Sequence, residues 1–284
     1  MVPTKAMTAH VPLTAEEVLA DVAACAALGA SIVHVHARDP EGRPSHRSDH
    51  YAPIVEGIRD IDPELVVCVS CSGRYATALE DRAEVLDLTG RAKPDMASLT
   101  LGSSNFVDQA SVNAPDVIRG LAGRMRERGI KPELEVFEPG MLAFGRYLAE
   151  RGVIEEPAYA NILLGNLGTS PVSSASLAAF QSVIPGGWTW SVGGVGRHQL
   201  DANLLGVAAG GGVRVGLEDN IWADRGRTRL ATNKEAVERI VGLAQLAERP
   251  IAAAAAVRER LGLARASREL NGRDVPRAGA SARL

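Results

Sequence analysis

His34 and His36, two positions apart in "SIVHVHARDP" (31–40), have the type and spacing to do chemistry. Side chains alternate across a β-strand, so residues i and i+2 share a face with their Cα atoms roughly 6.5–7 Å apart. Two imidazoles on one face can reach one metal ion; they could also be hydrogen-bonded core histidines, but two buried imidazoles must each find a partner. A second unusual stretch is "VRVGLEDN" (213–220). Read as a strand, it puts Arg214, Gly216 and Glu218 on one face and Val213, Val215 and Leu217 on the other. Set beside the histidines, Glu218 completes a His₂Glu zinc site with a position open to substrate. Arg214, with Asp219 to orient it, supplies a fixed positive charge, or else pairs with Glu218 only to fill space.

These residues need elements to hold them. Short β-branched runs alternate with helical stretches, and the expected strands are 31–38, 65–72, 95–102, 133–139, 159–165, 188–194 and 213–219. "TAEEVLADVAACAALG" (14–29) has helical periodicity, with Thr14 placed to cap it and Gly29 to end it. Such alternation predicts parallel strands with helical crossovers, and the fold expected is a (β/α)8 TIM barrel with its first strand apparently missing from this chain. A doubly wound open sheet is the structural alternative, but "GGVGRHQ" (193–199) comes late for a dinucleotide fingerprint and lacks its third glycine. In a barrel that stretch follows the seventh strand, as a phosphate site or a tight turn. Barrel chemistry sits at the C-terminal strand ends, where the residues singled out above fall. Ser70 and Ser98 stand at positions of their strands compatible with the same interior, though lone serines commonly cap or meet solvent. Glu135 in "ELEVFEP" is a buried acid or an ion-pair partner of Arg38 or another base.

With 284 residues, 46% hydrophobic and 23% charged, the chain can bury one large core, and residues 1–263 are expected to form a single barrel domain. A net charge of −3 gives no basic surface for nucleic acid or membrane. No signal-peptide pattern and no apolar run of membrane-spanning length is visible, so a cytoplasmic protein is expected. Cys25, Cys68 and Cys71 are too few and too odd in number for a disulfide framework. Cys68 and Cys71 form a C-x-x-C, but within a strand i and i+3 face opposite ways, which makes them structural. From about 264 to 284 the composition turns to Arg, Ala, Gly and Ser, as in a mobile tail or lid-like extension.

Taken in order, "VHVHARDP", "KPDMASLTLGSSNF", "KPELEVFEPG" and "GVRVGLEDNIW" resemble the β-keto acid cleavage enzyme family, over nearly the whole chain to about residue 263. The resemblance implies a zinc-dependent TIM barrel that condenses a β-keto acid with acetyl-CoA to give acetoacetate and an acyl-CoA, and a homo-oligomer is expected. It implies zinc ligands at His34, His36 and Glu218 and a catalytic dyad of Arg214 and Asp219. Ser70 falls where the family has the serine of a Ser-Thr-Gly-Gly turn, here Ser70-Cys71-Ser72-Gly73; Ser98 replaces a threonine, and Glu135 matches a family glutamate. The rival readings are a zinc-dependent barrel hydrolase, which needs further histidines on later strands, and a non-catalytic barrel that binds a metal or small ligand.

Two further expectations concern the N-terminal segment. "MVPTKAMTAHVPLTAEE" (1–17) resembles the loop that follows the family's first strand, which places an upstream start for the natural polypeptide. Met1 stands where the member acting on an amino-bearing substrate has an acid. A β-keto acid without a cationic side group is therefore the expected substrate.

Overall fold

The structure, a computed structural model, describes residues 3–264. Met1 and the tail beyond Ala264, each the subject of an expectation above, lie outside the described residues. Eleven strands are described: β1 Ile32–Val35, β2 Ala37–Arg38, β3 Pro44–Ser45, β4 Val66–Val69, β5 Met96–Thr100, β6 Ser104–Asn105, β7 Ala110–Ser111, β8 Lys131–Val136, β9 Tyr159–Leu164, β10 Thr189–Gly194 and β11 Gly212–Val213. The helices are α1 Ala15–Ala26, α2 Ser48–Ile61, α3 Leu79–Ala83, α4 Pro115–Glu127, α5 Pro139–Glu150, α6 Ser174–Gln181, α7 Gln199–Ala208, α8 Asn233–Leu246 and α9 Ala254–Arg260.

Seven strands make one curled parallel sheet in the order β1-β4-β5-β8-β9-β10-β11, the remaining four forming two antiparallel hairpins on loops. This is seven-eighths of a TIM barrel: β1 and β11 are its edges, and no strand pairs the two among the described residues. Apolar residues such as Val33, Val67, Leu99, Leu134 and Ile162 face the helices in one core, as the two-residue period requires. The residues between them face the barrel interior. Its lower end is closed by α9 and the turn after it, where Leu261 packs with Val66, Met96 and Tyr159. Arg258, 3% exposed, anchors α9 by bonding both oxygens of Asp95 and the carbonyls of Glu64 and Leu65.

Helix α1 follows the expected pattern. The Thr14 hydroxyl accepts from Glu17 N–H while the Glu17 carboxylate accepts from Thr14 N–H, a capping box, and Val18, Val22 and Cys25 form the buried stripe. Gly29, at φ 99°, turns the chain just beyond the helix end. The strand expected over 213–219 ends instead at Val213: Asp219 N–H and Asn220 N–H both donate to the Gly216 carbonyl, so residues 217–219 form a turn. Such a turn releases Asp219 from strand alternation, which would have aimed it away from Arg214.

Candidate active site

Each side chain of interest arrives at the C-terminal end of the sheet by register. β1 sets His34 opposite Cys68 of β4, β5 sets Ser98 and Thr100 opposite Glu133 and Glu135 of β8, and β8 sets Glu135 opposite Asn161 of β9. The turn after β11 brings in Glu218 and Asp219.

Arg214 is the hub. Its Nη1 donates to Glu135 Oε1 at 3.0 Å, Nη2 to Glu218 Oε2 at 2.7 Å and Nε to Asp219 Oδ2 at 3.2 Å. Burial works against its charge, but Asp219, Glu218 and the other acids outweigh it and hold the guanidinium firmly protonated. Glu135 therefore pairs with Arg214, not with Arg38, whose guanidinium donates to the Pro3 carbonyl. Glu135 Oε2 accepts from the Thr100 hydroxyl at 2.7 Å. Burial raises the Asp219 carboxyl above its usual range, and the Arg214 charge offsets only part of that rise.

His34 Nε2 and His36 Nε2 stand 3.2 Å apart, and Glu218 Oε2 lies 3.1 Å from His36 Nε2 and 4.0 Å from His34 Nε2. Tetrahedral bonds of about 2.0–2.1 Å hold neighbouring donors roughly 3.3 Å apart, so this donor set fits a small divalent ion. The arrangement behind His34 fits as well. Its Nδ1 meets Glu133 Oε2 at 2.6 Å, leaving Nε2 to carry the lone pair toward His36. Burial opposes the Glu133 charge, yet His34 and Arg214 prevail and keep its carboxyl ionised. Cys68 also offers an atom near His34 and Glu133. Burial first, and then the Glu133 charge, push its thiol well above the usual range, so it serves as an S–H donor to Glu133 and not as a thiolate ligand. Four carboxylates, Glu133, Glu135, Glu218 and Asp219, stand with two guanidiniums, Arg214 and Arg74, around this donor set.

A narrow cleft opens in front of this cluster, lined by Arg214, Asp219, Glu135, Thr100, Ser72, Arg74, Ser111, Phe106, Phe137, Leu163 and Val195. Ser70 and Ser98 are each 2% exposed and stand behind its wall: Ser98 Oγ accepts from Cys71 N–H and Ser70 Oγ from Ser72 N–H. The hydroxyls that line the cleft belong to Ser72, Thr100 and Ser111. The glycine-rich stretch after β10 is a tight turn: a Cβ on Gly194 would stand 2.6 Å from the His198 carbonyl oxygen, and Gly196 N–H donates to the Asp219 carbonyl, steadying the acidic turn. Cys68 on β4 and Cys71 beyond its end pack in different apolar clusters, and all three cysteines are free. Among the described residues His34 and His36 are the histidines in a metal-capable donor group, which leaves a multi-histidine hydrolase site without ligands. Sequence reasoning missed Glu133, Arg74, Thr100 and Asn161. The signals present were Glu133 at i−2 from Glu135 and Asn161 as the one polar residue of its strand.

The sequence profile of the family described as beta-keto acid cleavage enzyme matches residues 1–263. The chain is 35% identical over 261 residues to the 3-keto-5-aminohexanoate cleavage enzyme of Fusobacterium nucleatum, covering 92% of this chain and 93% of that one. It is 34% identical over 275 residues to the 3-oxoadipate:acetyl-CoA acetyltransferase of Cupriavidus necator, covering 95% and 94%. Among solved structures it is similar in fold to apo ObcA, with a TM-score of 0.78 at 21% identity over 91% of this chain and 66% of that one. No helix among the described residues is long and apolar enough to cross a membrane.

Proposed function

This chain belongs to the β-keto acid cleavage enzyme family, and from that premise we propose that it takes a β-keto acid and acetyl-CoA to acetoacetate and an acyl-CoA, with zinc held by His34, His36 and Glu218. The observation that carries the reading is the convergence of those three donors beside a buried, acid-fixed arginine that itself lines the cleft. The relatives' names support it, since one is an acetyl-CoA-dependent acetyltransferase acting on a 3-oxo acid. Zinc, when bound, supplies a Lewis acid for the keto oxygen and carboxylate of the substrate.

The chain's own residues do the rest. Balance requires that the carbon beside the carboxylate take the acetyl group and the keto carbon take the CoA sulfur that the acetyl group leaves. As the bond between those two carbons breaks, its electron pair stays on the fragment that is protonated to acetoacetate, and Arg214 presents a fixed positive charge to it. Asp219 and Glu135 keep that guanidinium from turning, so its field is in place before the bond breaks. Ser72 is the hydroxyl positioned to donate to oxygens that become anionic, the Thr100 proton being held by Glu135, while Ser98 and Ser70 hold the turn that carries Ser72. Glu133 steadies the His34 ring from behind.

The test is to incubate zinc-supplied protein with acetyl-CoA and a panel of β-keto acids, assay acetoacetate, and measure metal content. About one zinc per chain is expected, with loss of zinc and product together in His36→Ala, because two remaining ligands hold the ion poorly. Absence of zinc from the intact protein, or consumption of an amide or lactone without acetyl-CoA, overturns the reading.

A further inference from the structure

We infer that Asn161 is a positioning residue for the donor cluster: it aims Glu133 at His34 and so fixes which ring nitrogen of His34 is left free for an ion. The inference rests on the proposed metal centre, since that is what the free nitrogen faces. Glu133 lies between the two residues. Its Oε2 meets His34 Nδ1 at 2.6 Å, and its Oε1 accepts from Asn161 Nδ2 at 3.0 Å. Behind Asn161 the chain of bonds continues inside the barrel: the Ser191 hydroxyl donates to Asn161 Oδ1 at 2.9 Å, and the Tyr159 hydroxyl donates to Ser191 Oγ at 2.7 Å. All four residues are buried, Asn161 completely, and register sets Glu133 opposite Tyr159 and Asn161 opposite Ser191.

The direction of this chain follows from what each group can do. A carboxylate only accepts, so Asn161 turns its amide nitrogen to Glu133 and its carbonyl oxygen to Ser191. That carbonyl oxygen also only accepts, so Ser191 gives it its one proton and takes the proton of Tyr159 on its own oxygen. Tyr159 ends the chain among Val66, Met96 and Leu261, an apolar setting in which Ser191 is its hydroxyl's one partner among the described residues. At the other end, Glu133 Oε2 also accepts from the Cys68 thiol. His34 Nδ1 therefore donates, and its lone pair falls on Nε2, 3.2 Å from His36 Nε2. A rival for Glu133 stands close by. Arg214 Nη1 is 3.8 Å from Oε1, too far for a hydrogen bond, and the Asn161 donor holds that oxygen in place.

Exchanging donor and acceptor tests this. In Glu133→Gln the new amide has one oxygen and one nitrogen to distribute. The Asn161 donor claims the oxygen, which leaves the nitrogen facing His34, moves the ring proton to Nε2 and closes the metal-facing side. Adding Asn161→Asp puts an acceptor where the donor was, draws the amide nitrogen to itself and returns the oxygen to His34. Zinc affinity by chelator competition is expected to fall roughly 10- to 100-fold in Glu133→Gln and to recover to within about 10-fold of wild type in Glu133→Gln/Asn161→Asp. Nitrogen NMR of histidine-labelled, metal-free protein, titrated until the His34 ring is neutral, should show the proton on Nδ1 in wild type and in the double variant, and on Nε2 in Glu133→Gln. Affinity and proton position that stay as in wild type in Glu133→Gln, or that Asn161→Asp fails to restore, overturn the inference. Should the double variant not fold, Asn161→Leu decides instead: it removes the donor without adding charge, and a loss of roughly 10-fold in zinc affinity upholds the inference while no loss ends it. If wild type binds no zinc, the metal centre proposed above fails, and the proton positions in the three proteins still decide the role of Asn161.

Discussion

Glu218 shows how closely the charges are shared: Oε2 serves His36 and Arg214, and Oε1 serves Arg74. Burial alone would neutralise it, but His36 and Arg214 hold its carboxyl well below the usual range. A residue outside the cluster supplies the pH dependence. His46 is pushed down to about 4, first by burial and then by the charges of His36 and Arg82. Unfolded, it titrates near 6.5, so between these values the unfolded chain binds more protons than the folded one. His46 therefore contributes stability that is fully present above about pH 6.5 and is lost as pH falls toward 4, at most about 3 kcal/mol. Melting temperature should drop more steeply over that window in wild type than in His46→Gln; parallel curves would mean that His46 is not held neutral. The meeting of His34 and His36 was legible because an i, i+2 spacing fixes a face. The pairing of Asp219 with Arg214 was read without its geometry, since only the turn at 217–219 carries it back to Arg214. Glu133 was missed because a strand glutamate shielded by its own hydrogen bonds looks, in one dimension, like any other.

At the scale of elements, every expected barrel strand lies where the β-branched runs put it, but most end a few residues early. The residues overrun after β4 and β5, 70–72 and 101–102, open the loops that line the cleft, 70–74 and 101–113. Their conformation depends on long-range contacts that no local period encodes, and Arg82 of α3 is the chief of these. It is fully buried, makes no salt bridge among the described residues, and donates to the Cys71 carbonyl at 2.8 Å, the Val112 carbonyl at 3.4 Å and Asn113 Oδ1 at 2.8 Å. Gly73 sits under it: a Cβ there would lie 2.5 Å from the Val112 carbonyl oxygen and 2.9 Å from Arg82 Nη1. Arg82 thus ties the loop bearing Ser72 and Arg74 to the hairpin bearing Phe106 and Ser111. Arg82→Met relieves a buried charge but strands three acceptors, and bonds to a charged donor are worth about 1.5–3 kcal/mol each. The bonds win, and a loss of about 3 kcal/mol is expected in denaturant unfolding, with faster proteolytic cutting within 71–78 and 103–112. Unchanged stability and cutting would reduce Arg82 to a passive filler.

For the whole molecule, the alternation of strands and helices foretold the barrel, and the count of seven foretold its open seam, because both follow from periodicity and from the rule that parallel strands need crossovers. How the seam is spanned was not legible, since the contact joins residues more than two hundred positions apart. Among the described residues β1 and β11 do not pair, and helices α1 and α8 pack together across the outside of the gap. Asn233, the first residue of α8, is the tie: its Nδ2 donates to Asp21 Oδ2 of α1 at 2.6 Å, and its Oδ1 accepts from Leu217 N–H at 2.9 Å. Leu217 opens the turn that carries Glu218 and Asp219, so the joint that closes the molecule also positions the acidic end of the donor cluster. Asn233→Ala removes both bonds and should cost about 1–3 kcal/mol of stability. Because Glu218, a proposed ligand, then hangs on a looser turn, zinc affinity measured by chelator competition should fall roughly 10-fold while far-ultraviolet circular dichroism stays unchanged. Asp21→Ala separates the two effects: it cuts the tie between α1 and α8 but leaves the bond to Leu217, so stability should fall and zinc affinity should hold. Equal zinc loss in both variants would show that the seam as a whole, and not the Leu217 bond, sets the position of Glu218.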